Sequence, residues 1–186
     1  MTQPQIAEVE SKRTFVVHVE DKPGVLNRVA SLFRRREYNI DSLNVGRTHE
    51  VGVSRMTIVC CATPSTALRI EANLYTLVNV LRVDDITEQA QVSKNLALLK
   101  VGAGADTRPQ VLQILEAVGA RAVDIGPASL VAEITGTHEE IDRLREVLVP
   151  FGILEMVQTG LVAMTRAAEK PQLHAALRTA TAFDAA

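Results

Sequence analysis

The sequence predicts an α+β protein built from two tandem βαββαβ units, each a ferredoxin-like domain. The length of 186 residues suits two units of roughly 70 to 90 residues each. Alternating apolar patterns, which indicate strands, and apolar stripes at helical spacing follow one another in the order β-α-β-β-α-β, and the same order occurs twice. Hydrophobic residues make up 47% of the chain and aromatic residues only 3%, so both cores must be aliphatic.

The elements of the first unit are predicted from the spacing of apolar residues, which changes along the chain between strand and helix periods. Alternating or β-branched apolar runs predict four strands, at residues 14–20, 40–45, 54–61 and 80–86. A helical stripe begins at Val25 and ends by about Tyr38. Thr63-Pro64 supplies an N-cap and a first-turn proline for a second helix. Its stripe consists of Ile70, Leu74, Leu77 and Val78.

The second unit repeats these signals. Strands are predicted at residues 96–101, 121–125, 129–135 and 153–166, with the last interrupted at Gly160. Gly126-Pro127 is a turn pair between the middle two strands. One helix is striped by Val111, Leu112, Leu115 and Val118. The other begins with a capping box, Thr137 and Glu140, continues through Ile141, Leu144 and Leu148, and ends at Pro150 and Gly152.

These patterns divide the chain into five segments. We expect an N-terminal extension at 1–12, a first domain at 13–88, a linker at 89–94, a second domain at 95–168 and a disordered tail at 169–186.

Composition excludes several classes of protein. Twenty basic against 22 acidic residues give a net charge of −2, and there is no Trp, so nucleic-acid binding is not expected. No apolar run approaches the ~20 residues of a membrane span. Adjacent Cys60 and Cys61 are not a disulfide framework, and Met1–Arg13 does not resemble a signal peptide. A cytoplasmic location is therefore expected.

Arg34–Arg36 is interpreted as a solvated helix end, with a contact to a phosphate or to an acidic partner surface as the alternative.

Catalytic and metal-binding patterns are not found. The sequence has no phosphate loop, no H-E-x-x-H, no G-x-S-x-G and no C-x-x-C. The four histidines are scattered singly, and we interpret His18 and the others as solvated or locally hydrogen-bonded. Cys60 and Cys61 point to opposite faces of a strand, which favours apolar packing over metal binding. We predict no catalytic residue and no metal site.

A glycine-rich turn leaves one enzymatic alternative open. Gly102-Ala103-Gly104 lies between a strand and a helix, and Asp124 follows about 20 residues later, as in dinucleotide-binding proteins. Thr107 stands at the third glycine position, and Gly126-Pro127 reverses the chain where a crossover helix would be needed. A structural loop is favoured over a nucleotide-dependent enzyme built on Gly102 and Gly104.

The segment Asp21-Lys22-Pro23-Gly24 is the best local binding site. Pro-Gly at a helix start presents free N–H groups and the positive end of the helix dipole, which can receive a carboxylate. Gly24 permits close approach, and Asp21 can pair with an ammonium group. The two together would suit an α-amino acid. The alternative, equally weighted, is that Asp21 only caps the helix.

Longer motifs resemble a known family. Residues 15–26 resemble the opening of an ACT domain, a small amino-acid-sensing module. Further motifs resemble the regulatory small subunit of acetolactate synthase, at residues 38–45, 53–58, 77–83, 95–101, 122–125, 133–137, 150–155 and 159–164. The resemblance covers about Arg13 to Arg166 in order.

The resemblance implies a non-catalytic subunit that binds a catalytic large subunit carrying thiamine diphosphate, magnesium and FAD. That enzyme condenses pyruvate with a second 2-oxo acid in valine, leucine and isoleucine synthesis. The small subunit would raise its activity and confer feedback inhibition, by valine first, or by leucine or isoleucine. Homodimers through paired ACT domains are implied. The alternative is a free-standing ACT-type amino-acid sensor that regulates another enzyme or transcription.

The resemblance also implies an effector site. Its loop is Asp21, Gly24, Val25 and Leu26, and Asn39 and Ile40 match family positions across the dimer interface. On physical grounds we assign the effector carboxylate to the backbone of residues 24–26 and the ammonium group to Asp21. Ile40 would line an aliphatic pocket, and Asn39 would add a polar contact. Three departures stand out: several relatives carry Asn where this chain has Asp21, Gln158 replaces a commonly basic residue, and the tail beyond Ala168 has no family pattern.

Overall fold

The computed structural model describes residues 8–167. The strands are β1 (Ser11–Glu20), β2 (Ser42–Arg47), β3 (Val53–Ala62), β4 (Val80–Asp85), β5 (Gln91–Gly102), β6 (Arg121–Ile125), β7 (Ser129–Gly136), β8 (Ile153–Gln158) and β9 (Val162–Thr165). The helices are α1 (Val25–Arg35), α2 (Pro64–Leu74), α3 (Arg108–Ala117) and α4 (His138–Leu148), with a 3₁₀ turn at Val149–Phe151. The described chain divides into two compact units, residues 8–92 with 163–167, and residues 93–162.

The first unit is a four-stranded antiparallel sheet in the order β2-β3-β1-β4. Alternate residues of β1, including Phe15, Val17 and Val19, are buried with the apolar stripes of α1 and α2 in one cluster. The helices therefore cover one face of the sheet. The β1 register sets Val19 opposite Ser54 and Glu20 opposite Val53, which positions the loop after β1 beside the β2–β3 hairpin.

The second unit has the equivalent strand order, β6-β7-β5-β8. Ala97, Leu99 and Val101 of β5 are fully buried with the stripes of α3 and α4. The two sheets with their intervening helices confirm the predicted α+β fold of tandem ferredoxin-like domains. No helix within residues 8–167 has both the length and the apolarity needed to cross a bilayer.

Helix α2 is shorter than predicted. It ends at Leu74, so Leu77 and Val78 lie outside it, and Val78 is 89% exposed. The Thr76 hydroxyl donates to the Asn73 carbonyl at 2.6 Å and satisfies one of the last helical acceptors. This local hydrogen bond competes with continuation of the helix, a tendency that apolar spacing does not report.

The junction between the units also differs from expectation. Strand β5 begins at Gln91, so residues 91–94 of the predicted linker are extended strand, and Arg166 N–H donates to the Ala90 carbonyl at 2.8 Å. The sequence does not predict this part of β5, because its residues are mostly polar and are partly or fully exposed. The predicted disordered tail at 169–186 and most of the extension at 1–12 lie outside the described residues.

Helix α4 begins with the predicted capping box. Thr137 Oγ1 accepts from Glu140 N–H at 3.2 Å, and Glu140 Oε2 accepts from Thr137 N–H at 2.7 Å. We expect Thr137→Ala to lower the free energy of unfolding by about 1 kcal/mol, measured by urea denaturation. Thr107→Ala is the matched control, because Thr107 is the N-cap of α3 but its side chain makes no capping bond. An equal loss in both variants would contradict the assignment.

Candidate functional site

The start of α1 has the backbone of an open helix end. Gly24 is the N-cap with φ 81° and ψ −6°, and no side chain caps the helix. A Cβ at Gly24 would meet nothing within 4 Å, so glycine is required here by its backbone angle and not by crowding. The interpretation of Asp21 as a helix cap is therefore wrong.

Three amides at the start of the helix are available to a ligand. The N–H groups of Gly24, Leu26 and Asn27 have no acceptor within the described part of the chain. The N–H of Val25 makes only a long bond of 3.4 Å to the Lys22 carbonyl. Amides at a helix N-terminus, together with the helix dipole, favour an anionic group. The sequence predicts carboxylate donors at residues 24–26 only. Counting helix positions from Pro23-Gly24 would have included Asn27 as well.

The Asp21 carboxylate lies beside this helix end and already has partners. Its Oδ2 is 3.0 Å from Arg47 Nε, and its Oδ1 accepts from the Ser54 hydroxyl at 3.2 Å. The Asp21 N–H also donates to the Gly52 carbonyl at 2.8 Å. Sequence reasoning missed Arg47 and Ser54. Placing β3 between β1 and β2, as the predicted fold requires, would have identified both of them, because Ser54 faces β1 and Arg47 pairs with Ser54.

The Asp21–Arg47 pair can yield to a ligand. The Arg47 side chain is 84% exposed and that of Asp21 is 36% exposed. Ion pairs on the surface contribute about 0–1 kcal/mol, so an ammonium group could replace or share the guanidinium at little cost.

A second carboxylate extends the negative side of the loop. Glu20 accepts from the Asn79 side-chain amide, and this hydrogen bond is the main reason that the pKa of Glu20 is lowered. Arg28 Nη1 donates to Asn79 Oδ1 at 2.8 Å. A chain of polar contacts therefore links the first turn of α1 to the end of β1, and Glu20 is ionised at neutral pH.

Asn39 and Ile40 lie in a separate segment, between α1 and β2. The Asn39 amide is exposed and donates to Asp41 Oδ1 at 2.8 Å, and Ile40 is half-buried against the first core. Among the described residues, no hydrogen bond or ion pair joins them to residues 21–26. The structure thus brings Asp21, Gly24, Val25 and Leu26 together, and the roles of Asn39 and Ile40 stay predictions about a dimer.

The side chains of the first two residues of α1 divide between core and solvent. Val25 is 4% exposed and packs in the first core, which anchors the helix start. Leu26 is 44% exposed and can contact a ligand or a second chain.

The cysteines and His18 partly differ from expectation. Cys60 is buried, which raises the pKa of its thiol to about 11, whereas Cys61 is exposed and donates to Asp41 at 3.4 Å. The expected opposite faces are present, but the expected burial of Cys61 is wrong, because its side chain lies on the face of β3 opposite the first core and is exposed. His18 is half-buried and its Nδ1 has no hydrogen-bond partner within residues 8–167, so it is not the solvated or locally bonded histidine expected.

The glycine-rich turn is filled by protein backbone. The Gly102 N–H donates to the Gly152 carbonyl at 2.9 Å, and a Cβ at Gly102 would lie 2.7 Å from the Phe151 carbonyl oxygen. The Ala103 N–H donates to Ala128 at 2.9 Å. The close approach that glycine allows here is an approach to this chain's own backbone, which supports the structural interpretation of the turn.

Comparison with protein families assigns both units. Residues 15–82 match the ACT domain of acetohydroxyacid synthase small subunits, and residues 94–167 match the small subunit of acetolactate synthase. The chain is 46% identical over 153 residues to the acetolactate synthase small subunit of Mycolicibacterium smegmatis, covering 82% of this chain and 90% of that protein. It is 38% identical to the Bacillus subtilis small subunit, covering 86% of this chain and 93% of that one.

A solved structure agrees with these matches. The crystal structure of the acetolactate synthase small subunit from Thermotoga maritima is 31% identical, with a TM-score of 0.79 over 85% of this chain and 99% of that chain. The matches cover 90–99% of the length of these three relatives. The chain therefore belongs to the acetolactate synthase small-subunit family, as a regulatory subunit with an N-terminal ACT domain.

Proposed function

We propose that this chain binds the catalytic large subunit of acetolactate synthase, raises its activity and makes it sensitive to branched-chain amino acids, with valine as the first effector. Family membership supports this assignment. Thiamine diphosphate, magnesium and FAD would belong to the large subunit. Among residues 8–167, no group of three metal-binding side chains converges. The free thiols of Cys60 and Cys61 suit the reducing cytoplasm, where we place the complex.

One observation carries the effector assignment: free amides stand beside carboxylates at the start of α1. The amides of Gly24, Leu26 and Asn27 offer donors to a carboxylate. Asp21 offers an acceptor to an ammonium group. An α-amino acid carries both of these groups on one carbon. A branched side chain buried beside them would add about 2 kcal/mol, so discrimination among valine, leucine and isoleucine would be modest.

We also propose a homodimer that completes this site. Strand β2 is an edge of the first sheet, and its outer side is open to another strand. Val45 on this strand is 42% exposed. Pairing β2 with its counterpart would bring the partner's preceding segment, which includes Asn39 and Ile40, into the interface. Exposed edge strands favour such pairing because their backbone groups lack partners.

The proposed regulation is a shift between two arrangements of the complex. Effector binding would favour an arrangement in which the large subunit is less active. Reciprocity then requires that assembly with the large subunit change the affinity for valine by the same factor.

The test is reconstitution with purified large subunit. We expect co-elution, a rise in acetolactate formation on adding this chain, and a fall in that rate on adding valine, with weaker inhibition by alanine. Calorimetric titration of valine into the chain alone and into the complex measures the coupling. Equal valine affinity in both, with inhibition still present, would contradict the population shift. Failure to co-elute, with valine still bound, would favour the free-standing sensor.

A further inference from the structure

The first unit carries a pocket whose lining includes no residue of α1 or of the loop before it. It lies on the face of the sheet that the helices do not cover and has a volume of about 210 Å³. Buried Val16 and Ile86 form its apolar wall together with Met164. Its polar lining consists of His18, Arg55, Arg82, Asp84, Gln89 and Thr165. At roughly 30 Å³ per water, this volume corresponds to about seven waters, and a five-carbon carboxylate has the same number of heavy atoms.

Arg55 is the unusual charge in this pocket. Its guanidinium donates to the Thr57 hydroxyl at 3.2 Å and to the Ala163 carbonyl, both uncharged acceptors. Among the described residues, no carboxylate lies within ion-pair distance of Arg55. Burial lowers the pKa of Arg55, which shows that its charge is partly desolvated. Asp84 acts on Arg55 from beyond ion-pair distance and is itself bonded to Arg82. The partly buried guanidinium of Arg55 therefore has no directly bonded anion among the described residues, and this position favours an anionic ligand.

The other charges leave a net positive pocket. Arg82 donates twice to Asp84 Oδ1, at 2.9 Å from Nε and 2.7 Å from Nη2, so these two charges compensate each other. With His18 neutral, two guanidiniums against one carboxylate leave a single positive charge. A monoanion matches this charge, and the apolar wall matches a short aliphatic body.

His18 adds an unfilled polar position. Its Nδ1 is buried without a partner among the described residues. The charges that face His18 are Arg55 from β3 and Arg82 and Asp84 from β4, and Glu50 in the β2–β3 loop acts most weakly. Burial, followed by the two arginines, lowers the pKa of His18. A bound anion would oppose these effects, so binding would draw a proton onto His18 as the pH falls.

We propose that this pocket binds a small aliphatic carboxylate, with its head group on Arg55 and its body against Val16, Ile86 and Met164. This site is separate from the amino-acid site proposed at the start of α1. It requires neither an ammonium group nor the α1 amides.

The test is calorimetric titration of the full chain with isovalerate. We expect saturable binding at millimolar concentrations, and much weaker binding of the neutral isovaleramide and of isoamylamine. Arg55→Met should weaken isovalerate binding at least tenfold, because the unpaired guanidinium is lost. Asp84→Asn should strengthen it several-fold, because a negative charge leaves the pocket. A merely structural role for these residues would weaken binding in both variants.

Matched controls assign the site. Arg143→Met removes the same charge from an exposed position of α4 and should leave isovalerate affinity unchanged. Gly24→Asp should also leave it unchanged, and Arg55→Met should still bind valine. Wild-type affinity should be higher at pH 6 than at pH 8, and His18→Gln should remove that difference.

Labelled methionine methyl groups locate the ligand directly. Isovalerate should shift the NMR signal of Met164, but not those of Met56 in the first core or Met156 in the second unit. The proposal is overturned if isovalerate does not saturate, if Arg55→Met binds it normally, or if Gly24→Asp abolishes its binding. Failure of valine binding alone would count only against the amino-acid site.

Discussion

Gly24→Asp is expected to abolish inhibition by valine while leaving the reconstituted enzyme active. The new carboxylate would stand at the helix end where the effector carboxylate is proposed to bind, so like charges would meet in front of the α1 amides. Loss of two charge-assisted hydrogen bonds, at roughly 1.5–3 kcal/mol each, would weaken valine binding by more than 100-fold. Calorimetry with valine and inhibition curves of the complex measure the effect.

Gly119→Asp is the matched control for backbone strain and charge. Gly119 has φ 73°, close to the 81° of Gly24, and a Cβ there also meets nothing within 4 Å. Each variant should cost about 1–2 kcal/mol of stability, because an L-residue is forced into the left-handed region. The Gly119 variant should keep its valine response. Loss of the response in both, or in neither, would contradict the assignment of the effector carboxylate to α1.

Gly102→Ala is expected to lower the free energy of unfolding of the second unit by about 1–3 kcal/mol. The added Cβ would lie 2.7 Å from the Phe151 carbonyl oxygen, a distance that β-carbons do not tolerate. Relief requires the chain around Phe151 to move, which strains the bond from the Gly102 N–H to the Gly152 carbonyl. Urea denaturation followed by circular dichroism measures the loss.

Gly104→Ala separates packing from nucleotide binding. A Cβ at Gly104 meets nothing within 4 Å, and its backbone is not in the left-handed region. This variant should be unchanged or stabilised by up to ~1 kcal/mol. A dinucleotide loop would need both glycines, and equal damage from both substitutions would revive the enzymatic interpretation.

Local signals made the fold predictable. The Thr63-Pro64 start of α2 and the Thr137–Glu140 capping box act within a few residues, and both helices begin where these signals place them. The end of α2 was less predictable, because the Thr76 hydroxyl competes with helix continuation at a position whose apolar spacing still looks helical.

The site was predictable only in part. The α1 backbone follows from Pro23-Gly24, but the contacts of Asp21 with Arg47 and Ser54 depend on strand register. The pocket at His18 is built from β1, β3 and β4 and from Met164 and Thr165, which lie more than 70 residues after the end of β4. Alternation alone assigns His18 to a polar face and cannot show that this face is covered.

The ion pair between Asp21 and Arg47 has a consequence for the threshold of the proposed feedback. If the effector's ammonium group binds Asp21 as proposed, the guanidinium that already contacts this carboxylate would act as an internal competitor of the effector. The amino-acid concentration at which inhibition begins would then depend on ionic strength. Salt weakens an exposed ion pair more than it weakens the contacts of a ligand buried in an interface. Substitution of Arg47 would therefore change this threshold without any change in the catalytic partner.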